Sequence, residues 1–83
     1  EIKEDLKNPF SIYPNPTSGI LTIESDLNIE DIRVYDLLGK IVLQKSCQAR
    51  LEKLNLYYLK EGTYLVQIST QNNYIYYKKI ILQ

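Results

Sequence analysis

Between Thr63 and Thr70 the chain alternates in side-chain character without a break. Tyr64, Val66 and Ile68 fall on one face, and Leu65, Gln67 and Ser69 on the other. A period of two rich in β-branched and aromatic residues suits a half-buried strand, whereas a helix would scatter the same set around its axis. The same rhythm turns Leu21 and Ile23 inward and Thr22 and Glu24 outward within Ile20–Ser25. In Asp31–Tyr35, Ile32 and Val34 alternate with Arg33 and Tyr35; after Gly39, Ile41 and Leu43 alternate with Val42 and Gln44. Phe10–Tyr13 reads as a short entry strand and Leu51–Leu56 as a weaker one. Tyr74–Leu82 closes the chain with apolar residues on both faces, so its periodicity does not choose an inward side. Seven short strands and no helix are expected.

Turn chemistry falls between these segments. Asp36-Leu37-Leu38-Gly39 has Asp first and Gly fourth, as a type I turn followed by a left-handed glycine prefers, and such a turn joins adjacent antiparallel strands. Gln71-Asn72-Asn73 offers Asn, which tolerates positive φ well, and Glu61-Gly62 leads into the clearest strand. In Pro14-Asn15-Pro16-Thr17-Ser18-Gly19 two prolines remove backbone donors, so the chain is expected to cross over there rather than pair. Seven strands at this spacing predict an all-β fold, a seven-stranded antiparallel immunoglobulin-like β-sandwich. With no Trp and a single Cys, the antibody-type Cys…Trp…Cys signature is missing.

Composition narrows the function. At 83 residues the chain is one small domain that buries only about 60% of its unfolded surface, leaving little room for an enclosed active site. Without His and with one Cys, it lacks the usual means for metal binding, imidazole catalysis or an internal disulfide. Ten basic residues balance ten acidic ones, which argues against a nucleic-acid partner held by phosphate neutralisation. Charge is nevertheless polarised: Glu1–Asp36 carries eight acidic and three basic residues, Leu37–Gln83 seven basic and two acidic. The absence of Met is read as the mark of a piece of something larger. Glu1–Asn8 is polar and is expected to be a linker (residues 1–8) ahead of a folded domain over residues 9–83.

No constellation of catalytic type emerges. Glu4-Asp5 and Glu30-Asp31 are adjacent carboxylates, but neighbours along a strand point to opposite faces and do not converge on one atom. Cys47 has neither a His nor a second Cys to activate it and reads as a small hydrophobe or an incidental thiol. Eight tyrosines are the unusual feature; Tyr57, Tyr58, Tyr74, Tyr76 and Tyr77 would either stack sugar rings on a flat face or simply pack as good strand residues. The alternative function is therefore a carbohydrate-binding or adhesive module. Lys78-Lys79 would contact an acidic partner or guard an edge strand beside Ile80-Ile81-Leu82.

Four motifs in order carry a resemblance. Tyr13-Pro14-Asn15-Pro16 before Thr17-Ser18-Gly19 resembles the "YPNP" opening of the C-terminal sorting domain of type IX secretion in Bacteroidetes. Val34-Tyr35-Asp36-Leu37-Leu38-Gly39-Lys40-Ile41-Val42 is similar to that family's central hairpin. Leu59-Lys60-Glu61-Gly62-Thr63-Tyr64-Leu65-Val66-Gln67-Ile68 is similar to its "L-x-x-G-x-Y" segment, and Lys78-Lys79-Ile80-Ile81 to its terminal "k-k-i-i". The resemblance implies an immunoglobulin-like, non-catalytic signal joined covalently to an upstream cargo and exported through the periplasm and outer membrane to the cell surface or beyond. It implies a translocon, a shuttle barrel and a sortase-like peptidase that cuts the domain off as partners, with no cofactor and no small-molecule substrate. It also directs attention to Gly62, Tyr64, Lys78, Lys79, Ile80, Ile81 and Leu82 as partner-recognition residues. Pro14, Asn15, Pro16, Gly19, Asp36, Gly39 and Lys40 are then the structural motif.

Overall fold

The computed structural model describes residues 8–83, so residues 1–7 of the expected linker lie outside the described residues. The described chain is all-β: β1 (Phe10–Tyr13), β2 (Ile20–Tyr35), β3 (Ile41–Asn55), β4 (Gly62–Thr70) and β5 (Ile75–Leu82). Every strand pairing is antiparallel.

Five strands replace the seven expected, because four of the short segments are halves of two long strands. β2 contains both Ile20–Ser25 and Asp31–Tyr35, and β3 contains both Ile41–Gln44 and most of Leu51–Leu56. What looked like connecting loops are irregularities inside one β2–β3 ribbon, with register shifts between Glu24 and Ile29 and between Ile29 and Asp31. The inward set moves from odd positions (Leu21, Ile23) to even ones (Ile32, Val34) across this region. A side-chain period of two breaks at any such bulge, which is why the sequence reads as two strands on either side of it. Ser25 secures the excursion: its Oγ accepts from Leu27 N at 2.8 Å and donates to Leu27 O at 2.5 Å.

The bulge also divides the partners of β2. On the edge opposite β3, β1 pairs with Thr22–Ser25 and β4 with Ile29–Tyr35. The two halves of β2 thus serve different neighbours within one five-stranded sheet, and the inward side chains form a single cluster. Phe10, Leu21 and Ile23 meet Ile32, Val34, Leu54, Leu56, Val66, Ile68 and Ile80 there. The Phe10 and Tyr76 rings stack at 5.0 Å although β1 and β5 share no ladder. Each fully buried aliphatic side chain of this cluster contributes about 1.5–3 kcal/mol.

Turns form where the sequence places them. Gly39 N donates to Asp36 O at 3.0 Å with Gly39 at φ 85°, and the Asp36 carboxylate accepts from Leu38 N and Lys40 N. Asn73 takes φ 61° in the β4–β5 turn.

Candidate partner-recognition site

The first constraint on any partner is which strand edges are open. β3 borders only β2 among the described residues, and its outer edge carries Lys45, Arg50 and Lys53 along with the bulges. Charges and bulges of this kind discourage strand-on-strand association. β5 is closed differently. The Pro14–Gly19 loop, expected only to cross over, lies along its outer edge. Thr17 N donates to Ile81 O and Gln83 N donates to Thr17 O, both at 2.9 Å, forming a parallel bridge to Leu82. The Asn15 carboxamide extends the seam, with Oδ1 accepting from Ile81 N and Nδ2 donating to Lys79 O, both at 3.0 Å. Thr17 is itself buried, its Oγ1 donating to Ile20 O and accepting from Gly19 N. Pro14 and Pro16, each preceded by a cis bond, present Asn15 between them. Gly19 O accepts from Leu56 N at 2.7 Å and ties the loop to the end of β3.

Alternation along β5 separates the residues expected to be read by a partner. Ile80 and Leu82 are core, as is Tyr64 on β4, whose hydroxyl donates to Lys60 O at 2.6 Å. Gly62 opens β4 at φ 153°. Of the remaining residues, Lys79 and Ile81 point outward and are exposed, while Lys78 is half-buried in a row with Val66 and Val34, both core. Adjacent lysines therefore occupy opposite faces. Lys40, beyond the Asp36 turn, is exposed.

The outward face of β2, β4 and β5 is mixed, with Arg33 and Gln67 in one row and an apolar patch beside them. Tyr35, Leu65 and Lys79 stand in one cross-strand row, with Tyr77 on the same face two residues before Lys79. Together with Leu37 in the turn they line a cleft of about 410 Å³. Sequence reasoning passed over this cleft. The available signal was Leu65, an apolar residue on the otherwise polar side of the clearest strand.

The other candidates separate. Tyr74 and Tyr76 pack around the Phe10 ring, Tyr77 faces the opposite way, and Tyr57 and Tyr58 lie beyond the end of β3, so the five rings form no common platform. Asp31 is engaged by Arg33 at 2.9 Å and by Gln44 and Ser46 at 3.3 and 3.4 Å across the ladder. The Glu4-Asp5 pair lies outside the described residues. Cys47 packs half-buried against the core with its Sγ 3.6 Å from Ile29 O, and burial pushes the thiol pKa up, with nearby Glu52 adding to the effect. A thiol held protonated is a poor nucleophile.

Residues 11–83 match the family described as the secretion system C-terminal sorting domain. The chain belongs to that family. It is a type IX sorting domain, a signal for export across the outer membrane to the cell surface or the extracellular space. The sorting domain is 30% identical over 80 residues to an endo-acting ulvan lyase of Formosa agariphila, covering 94% of this chain and 16% of that enzyme. It is likewise 30% identical over 73 residues to the ulvan lyase NLR42 of Nonlabens ulvanivorans, covering 86% of this chain and 14% of that one. The chain thus spans about a sixth of these relatives. In fold it is similar to a Bacteroides vulgatus protein with an immunoglobulin-like β-sandwich, at TM-score 0.75 and 15% identity over 90% of this chain and 85% of that one. CopC of Methylosinus trichosporium is a more distant likeness, at TM-score 0.51 and 15% identity, with 88% of this chain and 90% of that one covered.

Proposed function

We propose that this sorting domain delivers an upstream enzyme through the translocon and shuttle barrel of type IX secretion and is then cut off by a sortase-like peptidase. The observation that carries the reading is the family match over residues 11–83, nearly the whole folded unit. The two lyases whose tails it resembles favour a polysaccharide-degrading cargo. The fold suits such a signal, because a hydrophobic cluster of its own lets the domain form behind cargoes of differing kind.

The test is a reporter fused ahead of residues 9–83 in a bacterium with a working type IX system. The reporter is expected outside the cell only when the domain is present, with a mass lacking the domain. Retention inside the cell would refute the sorting assignment. Export at full fused mass would leave sorting intact and remove the cleavage step.

A further inference from the structure

We propose that the cleft between Tyr35, Leu65, Tyr77 and the Asp36–Gly39 turn is a docking site for a protein segment that presents an apolar side chain flanked by carboxylates. The proposal deepens the sorting reading by naming a surface and the chemistry of its partner.

Three observations point the same way. The edge of β5 is occupied from Lys79 to Gln83 by Asn15 and Thr17, so at this end of the strand the outward face is the surface left open to a partner. That face exposes apolar side chains where solvent would favour polar ones: Leu37 is 76% exposed, Tyr77 53% and Leu65 36%. Contiguous apolar surface of this kind marks interaction sites. The cleft, at about 410 Å³, is at the small end of ligand-sized hollows, which run from about 300 to 1,000 Å³. It has room for one or two side chains.

Charge selects the occupant. Lys79 stands at the rim, and the lining carboxylate, Asp36, spends its Oδ1 on Leu38 N and Lys40 N. Lys40 follows in the same turn and is exposed, a second cation beside the cleft. An acidic segment is steered toward such a surface and a basic one is repelled. An aromatic or branched side chain enters the apolar hollow while its carboxylate neighbours meet Lys79 and Lys40.

The site is tested on the isolated folded domain by amide chemical shifts, with N-acetylated tripeptide amides as probes. Glu-Phe-Glu should shift the amides of Leu65, Tyr77 and Gly39 saturably; Glu-Ser-Glu and Lys-Phe-Lys should not. Lys79→Glu leaves an exposed position folded and should weaken Glu-Phe-Glu binding by about two- to five-fold, the worth of one surface ion pair. Equal response to all three peptides, or cleft shifts produced by an anionic oligosaccharide in place of the acidic peptide, would overturn the proposal.

In cells, Leu65→Ser with Tyr77→Ser should reduce reporter export at least ten-fold while the purified domain keeps its cooperative unfolding. If the wild-type fusion is exported and the folded double variant is exported equally, the cleft is not the recognition surface although sorting stands. If the wild-type fusion is retained, the sorting assignment itself fails.

Discussion

The side chain of Asn15 stands beside Ile81 as a strand residue would, accepting from Ile81 N and donating to Lys79 O at 3.0 Å each. One carboxamide thus reproduces both halves of a peptide unit and ends the sheet without another strand. The Asn of the opening motif is explained by this seam: only a side chain with a donor and an acceptor at fixed spacing can satisfy both backbone groups.

Asn15→Ala should therefore destabilise the domain by about 1 kcal/mol, the scale of hydrogen bonds lost at a solvated edge. Asn15→Asp should be no better despite its matching shape, since an oxygen would then face the Lys79 carbonyl. Urea unfolding gives the stability, and the Ile81 amide should exchange faster in both variants. An unchanged Ile81 exchange rate would show that the seam contributes nothing.

Gly39 and Gly62 adopt φ of 85° and 153°, with nothing within 4 Å of where a Cβ would stand. Any penalty on substitution is therefore backbone strain and not collision. Gly39→Val and Gly62→Val should each cost about 1–3 kcal/mol. Gly39→Asn should cost less, because Asn tolerates the left-handed region. Equal losses for Asn and Val at position 39 would contradict this account.

Ile80 is fully buried and Ile81 43% exposed. Ile80→Ala should cost about 2–5 kcal/mol. Ile81→Ala, at a surface position, should cost well under half of that. The neighbouring lysines should split in the same way: Lys78→Glu places a carboxylate beside Val66 and lowers the unfolding midpoint, whereas Lys79→Glu barely moves it. Denaturant titrations of the four variants decide the matter. Matched midpoints within either pair would mean that alternation does not govern this strand.

The Cys47 thiol has its pKa raised by burial, with Glu52 reinforcing the shift and Lys45 opposing it. Its reaction with a disulfide reagent should be slower than that of the unfolded chain at pH 8 and should rise with pH through a midpoint above the unfolded one. The linked stability has a definite sign. The fold favours the protonated thiol, so this contribution is present below the unfolded thiol pKa and lost as pH rises toward the folded value. Cys47→Ser should remove that dependence, and unfolding free energies from pH 7 to 10 would reveal it.

The amino-acid order alone determined a good deal. Leu21, Ile23, Ile32, Val34, Tyr64, Val66 and Ile68 were inward by periodicity and are buried. Gly39 and Asn73 have the positive φ that their turns demanded, and four motifs in order identified the sorting family. These features are local, written by side-chain alternation and turn stereochemistry within a few residues. Strand continuity was not local in this sense. The Ser25–Asn28 excursion switches the inward parity of β2, and only the β1, β3 and β4 ladders on either side show that one strand passes through it. Which lysine of the pair faces outward also depended on the register of β5 against β4, because apolar residues on both of its faces left alternation mute. The seam from Asn15 to Ile81 joins positions 66 residues apart, and the cleft at Leu65 gathers side chains from three strands and a turn. Pattern along a chain cannot encode such meetings until the ladders have set which residues are neighbours.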